Sequence, residues 1–348
     1  MPTLSVIVTV HGVAGYLDRC LDSVLGQGGA DAVEVIAVDD ASPDGSGAIL
    51  GARHDPRLTV IHTDTTVGPG RARELGMKEA TGEYLWFVDA DDELADGALA
   101  GVAARLDRLH PDILVMDYEN MHPDGTVTPS GAVLSTPELT TLAESPVLLW
   151  VTSSMWNKVF HRDFLAGLGV PFGSGIYEDV PVALAGLLTA PRIGVLNRVC
   201  YRYRRSRDGS FMAEISDRHF DIFRSYETIH QFVSQRFAAT LPGAVPLSGG
   251  EAVLAGQLAC LTPTVRAGLF ERMIRHYVFA LPKVPRSSRR AFFSRMTSDY
   301  HRRRPEEFIV PSGPRGVEFR LIGRGAYLAY STLIPANQFR LTLRRGLR

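Results

Sequence analysis

Strand-like apolar runs alternate with stretches of helical spacing through the first 120 residues, and this restricts the chain more than any other feature. LSVIVTV (4–10), VEVIAVDD (33–40), LTVIH (58–62), YLWFVDADD (84–92) and ILVMDYEN (113–120) are short, rich in β-branched or aromatic residues, and largely without polar alternation. Runs of that kind suit strands buried on both faces. Between them, GYLDRCLDSVLGQ (15–27) repeats Leu17, Cys20, Leu21, Val24 and Leu25 at helical spacing, and 70–80 and 97–109 read as further helices. Strand–helix alternation predicts a mostly parallel, Rossmann-like α/β sheet covered on both faces.

The rest of the chain follows a different pattern. Residues 121–150 read as loop and excursion, 151–210 as short aromatic and charged segments, and 216–282 as helices, with HFDIFRSYETIHQFV (219–233) amphipathic. LPGAVPLSGGE (241–251) reads as a linker. The expected division is a catalytic domain at 1–215, a helical extension at 216–282 and a basic tail at 283–348. That tail holds Lys283 and 14 Arg against Asp299, Glu306, Glu307 and Glu318, a net +11 in a 348-residue chain whose total is −1. Interleaved apolar residues in 319–334 suggest contact with an anionic membrane surface. No nucleic-acid motif accompanies the charge, so nucleic acid is not expected as a partner. No apolar run approaches the ~18 residues of a spanning helix. The run at 4–10 lacks a basic flank and reads as a strand rather than a signal peptide. Cys20, Cys200 and Cys260 are far apart, without CxxC, which fits a reducing, cytoplasmic setting.

Acidic residues gather where two buried strands end, at Asp39-Asp40 and at Asp89-Ala90-Asp91-Asp92. Open parallel sheets bind ligands beyond the carboxyl ends of their strands. A D-x-D there can meet a ribose and a hard cation, because Mg²⁺ or Mn²⁺ takes one or two carboxylates plus phosphate oxygens. Asp39-Asp40 alone serves equally well as a pair of turn residues. GPGRAR (68–73) opens a helix with two arginines and can hold a diphosphate, or can be a plain turn with solvated Arg. No G-x-G-x-x-G follows the first strand, and no Walker A sequence occurs.

Taken together, SVIVTVHGVAGYLDRCLDSVLGQ (5–27), EVIAVDDASPDGS (34–46), ARE (72–74), ATGEYLWFVDADD (80–92), WNKVF (156–160), YEDV (177–180) and YRRSRDGS (203–210) resemble the ordered motifs of family 2 glycosyltransferases. The resemblance covers roughly residues 3–215. It implies a GT-A fold and a metal-dependent, inverting transfer from a UDP-sugar to a hydroxyl, using Mn²⁺ or Mg²⁺. It assigns Thr9, His11, Asp40, Arg73, Asp89 and Ala90 to the donor nucleotide, Asp91 and Asp92 to the metal, and Asp179 to the general base. Trp156, Lys158, Glu178, Arg204 and Arg207 fall in segments that meet acceptor or phosphate. The family's usual V-P-x-Y-N is altered: Thr9 replaces the proline, His11 the tyrosine and Gly12 the asparagine. Read alone, Glu178-Asp179 is a helix N-cap and first-turn pair. The helical extension and basic end resemble enzymes that build wall glycopolymers of the teichoic-acid type, with a glycan, polyol-phosphate or lipid-linked acceptor. A haloacid-dehalogenase-like phosphatase also carries D-x-D after a strand, but there Glu93 stands where a Thr or Val is expected. A catalytically silent nucleotide-sugar-binding module is the remaining alternative.

Overall fold

The computed structural model describes residues 4–27, 33–130, 136–205, 214–238 and 261–333. Chain contacts divide it into two units, residues 1–210 with 225–260, and residues 211–224 with 261–348.

The first unit is the α/β body. It begins β1 (Leu4–Val10), α1 (Ala14–Leu25), β2 (Val33–Asp39), α2 (Ser46–Ala52), β3 (Leu58–His62), α3 (Pro69–Glu79), β4 (Tyr84–Asp89), β5 (Glu93–Leu94), α4 (Ala98–Leu109) and β6 (Ile113–Met121). Then come β7 (Val127–Pro129), β8 (Leu139–Thr140), β9 (Lys158–His161), α5 (Arg162–Gly167), α6 (Val180–Thr189) and β10 (Ile193–Arg204). The main path of the sheet runs β3-β2-β1-β4-β9-β6-β10-β5. β1 pairs in parallel with β2 and β4, and β2 with β3, as the apolar runs predict. β9 is an insertion, antiparallel to both β4 and β6.

Side-chain chemistry explains the local geometry. β1 is buried along nearly its whole length, and α1 faces it with Leu17, Cys20, Leu21 and Val24. The first turn of a helix leaves backbone N–H groups without partners. Here the SPDGS turn supplies them: Gly12 N–H donates to Ser42 Oγ, Val13 N–H to Ser46 Oγ and Ala14 N–H to Asp44 Oδ2. Helix α3 lies so close to β1 that a Cβ on Gly76 would sit 2.4 Å from Ile7 Cγ2. Any larger residue there would push the helix off the sheet.

The second unit contains α8 (Pro263–Ala280), α9 (Arg289–Arg303) and α10 (Gly313–Gly323), after the start of α7 (Asp221–Ala238). Phe223, Tyr277 and Phe292 form one aromatic group, and Phe270, Tyr300, Phe308 and Phe319 another. This corrects the boundary expected at 282/283. Helices on both sides of it share one core, because none of them buries its apolar stripe alone. Within the basic tail, Phe319 and Ile322 are fully buried and Tyr330 nearly so, while Leu328 and Leu333 are exposed. Phe319, Ile322 and Tyr330 thus pack within the helical unit. Residues 334–348 and the linker at 241–251 lie outside the described residues, as does Cys260. Among the described residues no helix is long and apolar enough to cross a membrane.

Candidate active site

The carboxyl ends of β1, β2 and β4 bring together Thr9, His11, Asp39, Asp40 and Asp89. β2 is followed by Ala41 in the left-handed region, at φ +47, and β1 by Gly12 at φ +63. Gly and Asn tolerate that region best, which explains why Gly12 can stand where the family pattern has asparagine. His11 Nδ1 lies 2.7 Å from the Asp40 carbonyl, which fixes the ring beside the strand ends. Asp40 is nearly buried. It accepts hydrogen bonds from Thr63 Oγ1, Val67 N–H and Gly68 N–H, the last two at 2.6 and 2.8 Å. Its carboxylate therefore ties down the loop that opens α3. Asp39, the other member of the pair, accepts from Ser42 N–H and contacts His62 Nδ1 at 2.9 Å.

Arg73 is the centre of the site. It is 4% exposed. One guanidinium nitrogen donates to Glu178 Oε1, and Nη2 donates to Asp89 Oδ1 at 2.9 Å. Burial alone would lower its pKa, but Asp89, Glu178 and Asp179 outweigh that and hold the cation firmly charged. Its buried Nε has no hydrogen-bond partner among the described residues, a donor that a ligand oxygen can satisfy. The ring of Phe172 lies beneath the guanidinium, 5.9 Å from Cζ. One arginine thus joins the end of β4 to the segment that opens α6, Glu178 lying 105 residues beyond Arg73 in sequence.

Asp179 sits beside this network. By position it is the N-cap of α6, yet its side chain makes no capping hydrogen bond. Burial and the neighbouring Glu178 push its pKa up to about 7, against the opposing pull of Arg73 and Lys158. A base near neutrality is what proton abstraction at physiological pH requires. The N-cap reading of Asp179 thus accounts for its place in the chain but not for its carboxylate.

The D-x-D-D segment divides into two roles. Asp92 is 1% exposed, and its oxygens accept from Tyr201 Oη at 2.7 Å and Arg204 N–H at 2.6 Å. Burial raises its pKa well above the carboxylate range. Asp92 is therefore corrected from metal ligand to a latch between the β4 loop and β10. Ala90 is likewise corrected: it is buried and its N–H donates to the Thr9 carbonyl. Asp91 remains half-buried at the surface of the segment. Among the described residues no group of three or more His, Cys, Asp and Glu side chains is arranged to hold a metal. Asp91, with Asp89 beside it, nevertheless fits a cation that takes few carboxylates and completes its shell with diphosphate oxygens.

Four expected acceptor or phosphate residues have other work. Trp156 is buried, stacked on Tyr201 and Tyr203 with centroids 4.6 and 5.2 Å away, because β10 presents both rings on one face. Lys158 is fully buried, and its ammonium donates to Thr152 O, Ser154 O and Asn157 Oδ1. It folds the 152–157 loop rather than meeting solvent-side phosphate. Arg204 donates to the Asp91 carbonyl and to Glu93 and stacks on Tyr16, so it braces the D-x-D-D loop. Glu178 is taken by Arg73. Arg207 lies outside the described residues. Tyr201 was not anticipated: besides Asp92, its hydroxyl accepts from Asp89 N–H. Nothing in its sequence surroundings distinguishes it from other strand tyrosines.

Residues 5–133 match the sequence model of Glycosyl transferase family 2. This stretch is thus similar to the family 2 glycosyltransferase domain. The domain is similar to Uncharacterized glycosyltransferase EpsJ of Bacillus subtilis (strain 168), 30% identical over 218 residues, 59% of this chain and 62% of that protein. It is also similar to Poly(ribitol-phosphate) beta-N-acetylglucosaminyltransferase TarS of Staphylococcus aureus (strain MW2), 29% identical over 61% of this chain and 37% of that protein. The matched region thus spans less than two thirds of either relative. A crystal structure of S. aureus TarS 1-349 in complex with UDP-GlcNAc superposes with a TM-score of 0.57 at 22% identity, covering 90% of this chain and 95% of that one. The α/β body and the helices that follow it thus have the fold of that structure, with the α/β body of the GT-A type.

Proposed function

We propose that this glycosyltransferase moves a sugar from a UDP-sugar to an acceptor hydroxyl with inversion at the anomeric carbon. The observation that carries the reading is Asp179, a carboxylate at a helix start that does no capping and titrates near neutrality beside the Arg73 network. Asp179 takes the proton of the acceptor hydroxyl as its oxygen forms the new bond to the anomeric carbon. The bond to the diphosphate breaks with its electron pair on UDP. Arg73, with its free Nε, offers charge and a hydrogen bond to donor oxygens. His11 flanks the base, and Asp91 with Asp89 would hold Mn²⁺ or Mg²⁺. Such a cation supplies charge stabilisation to the departing diphosphate. The TarS name and its UDP-GlcNAc complex support UDP-GlcNAc as the first donor to test and a polyol-phosphate or other wall glycopolymer as acceptor. Such donors belong to the cytoplasm, so the enzyme would act there.

The phosphatase alternative is disfavoured. It needs the first Asp of D-x-D as a free nucleophile at the end of the first strand, whereas Asp89 ends the fourth and is held by Arg73. A screen of UDP-sugars for UDP release, with Mn²⁺ and with EDTA, tests the reading; no release above background from any donor, with candidate acceptors present, overturns it.

Two further outcomes are expected. Asp91→Ala removes the Mn²⁺-dependent part of UDP binding measured by calorimetry, and leaves the melting temperature unchanged because the side chain is not part of the core. Affinity equal to wild type in Mn²⁺ would take the metal away from Asp91. The pH profile supplies the second. Asp179 works only when deprotonated, so turnover should fall tenfold per pH unit below about 7 and level off above it. A flat profile from pH 5 to 8 would exclude a base of this kind.

A further inference from the structure

The residue before Glu178-Asp179 has a backbone conformation its side chain disfavours. Tyr177 has φ +67, in the left-handed region. For a bulky residue this is a genuine outlier, kept only where the surroundings over-determine it. The surroundings are specific. Tyr177 is 5% exposed. Its carbonyl accepts from Val180 N–H at 3.3 Å and from Ser225 Oγ at 2.8 Å. The next carbonyl, that of Glu178, accepts from Gly173 N–H at 3.1 Å.

Ser225 lies on α7, 48 residues further along the chain, and is itself buried. A serine inside a helix commonly turns its hydroxyl back to a carbonyl of the preceding turn. This one donates outward, to a carbonyl that Val180 already serves, and so occupies both of that oxygen's lone pairs. The result bears on Asp179. Its φ of −84 and ψ of −24 are not the extended angles of a capping residue. The left-handed turn at Tyr177 delivers the chain into α6 with the carboxylate free of the helix amides.

We propose that Ser225 is a positioning residue for Asp179, its hydroxyl fixing the Tyr177 carbonyl and with it the turn that aims the Asp179 carboxylate. The proposal rests on Asp179 being the base of the transfer. It adds that a residue of α7, beyond the stretch matched by the family model, takes part in the geometry of the reaction.

The test compares wild type, Ser225→Ala, Ser225→Val and Ser225→Thr. Each is assayed for UDP release from a productive UDP-sugar with Mn²⁺, for UDP affinity by calorimetry and for its melting temperature. Val and Thr have nearly the same shape and differ in the hydroxyl. A sub-ångström to 1 Å loss of aim is expected to lower kcat by about tenfold or more in the Ala and Val variants. The donor KM and the UDP affinity should stay within about twofold, because the donor residues are untouched. The midpoint of the acid limb should move, since Asp179 loses its fixed environment, and Thr should restore kcat and the profile. Wild-type kcat in the Ala variant overturns the proposal. So does equal loss in Val and Thr, which would mark a packing role. A wild-type chain that neither binds UDP nor releases it overturns the functional reading itself, and this proposal with it. An active wild type matched by Ser225→Ala overturns Ser225 alone.

Discussion

Asp179→Asn is expected to lower sugar transfer by about 10²–10⁴-fold, the usual worth of a general base, while the donor still binds. Asparagine keeps the size and the helix position of the residue but cannot accept the acceptor's proton. The same change should raise stability at high pH. A group whose folded pKa is raised, from 3.8 to about 7 here, contributes stability that is fully present below the unfolded value and lost as pH rises through the folded one. At pH 8 the wild type therefore carries an unfavourable, poorly solvated charge beside Glu178 that the variant lacks. A melt at pH 8 should show the variant at or above wild type, and the two should converge toward pH 4. Near wild-type turnover, or a lower melting temperature at pH 8, would return Asp179 to a structural role.

Arg73→Ala is expected to destabilise the folded chain by about 3–5 kcal/mol and to abolish measurable UDP binding. Removing one partner of a buried ion pair leaves the other charge without compensation. Here two carboxylates depend on the one cation, Glu178 at 9% side-chain exposure and Asp89 at 31%. Arg73→Lys should rescue little, because a single ammonium cannot present two nitrogens to carboxylates on opposite sides. Urea unfolding gives the stability, and calorimetry on the still-folded Lys variant gives the affinity. A loss below about 1 kcal/mol in Arg73→Ala would mean that Glu178 and Asp89 hold their places without the arginine.

The candidate site was partly legible in the chain, and the division follows physical lines. Asp89, Asp91 and Asp179 stand out because carboxylates at strand ends and helix starts occur in a recognisable order. Lys158 and Arg204 misled for a general reason. A sequence gives the charge of a side chain but not its burial: Lys158 spends its donors on the loop just before it, and Arg204 on the distant D-x-D-D loop. Asp92 misled because the D-x-D reading assumes an extended chain, whereas the chain turns after β4 and Asp92 N–H donates back to the Asp89 carbonyl. Asp91 is half-exposed, while Asp92 turns to Tyr201.

The sequence by itself determined the parallel half of the sheet. β1 to β4 and β6 are local apolar runs, and their helices carry apolar stripes at fixed spacing, so the pattern is readable within a few residues. Only the tertiary structure decided the other half. β9 is four residues long and is a strand only because it fills the gap between β4 and β6. β10 loses its alternation at register shifts between Leu196 and Val199 and between Val199 and Tyr201. The helices after 282 show the same limit from the opposite side. Their arginines dominate the composition, yet the buried Phe292, Phe293, Tyr300 and Phe319 set their place. The deciding contacts join residues such as Arg73 to Glu178 and Tyr177 to Ser225, far apart in the chain. Short-range periodicity carries information about which face of an element is buried, but not about which distant side chain will meet it there.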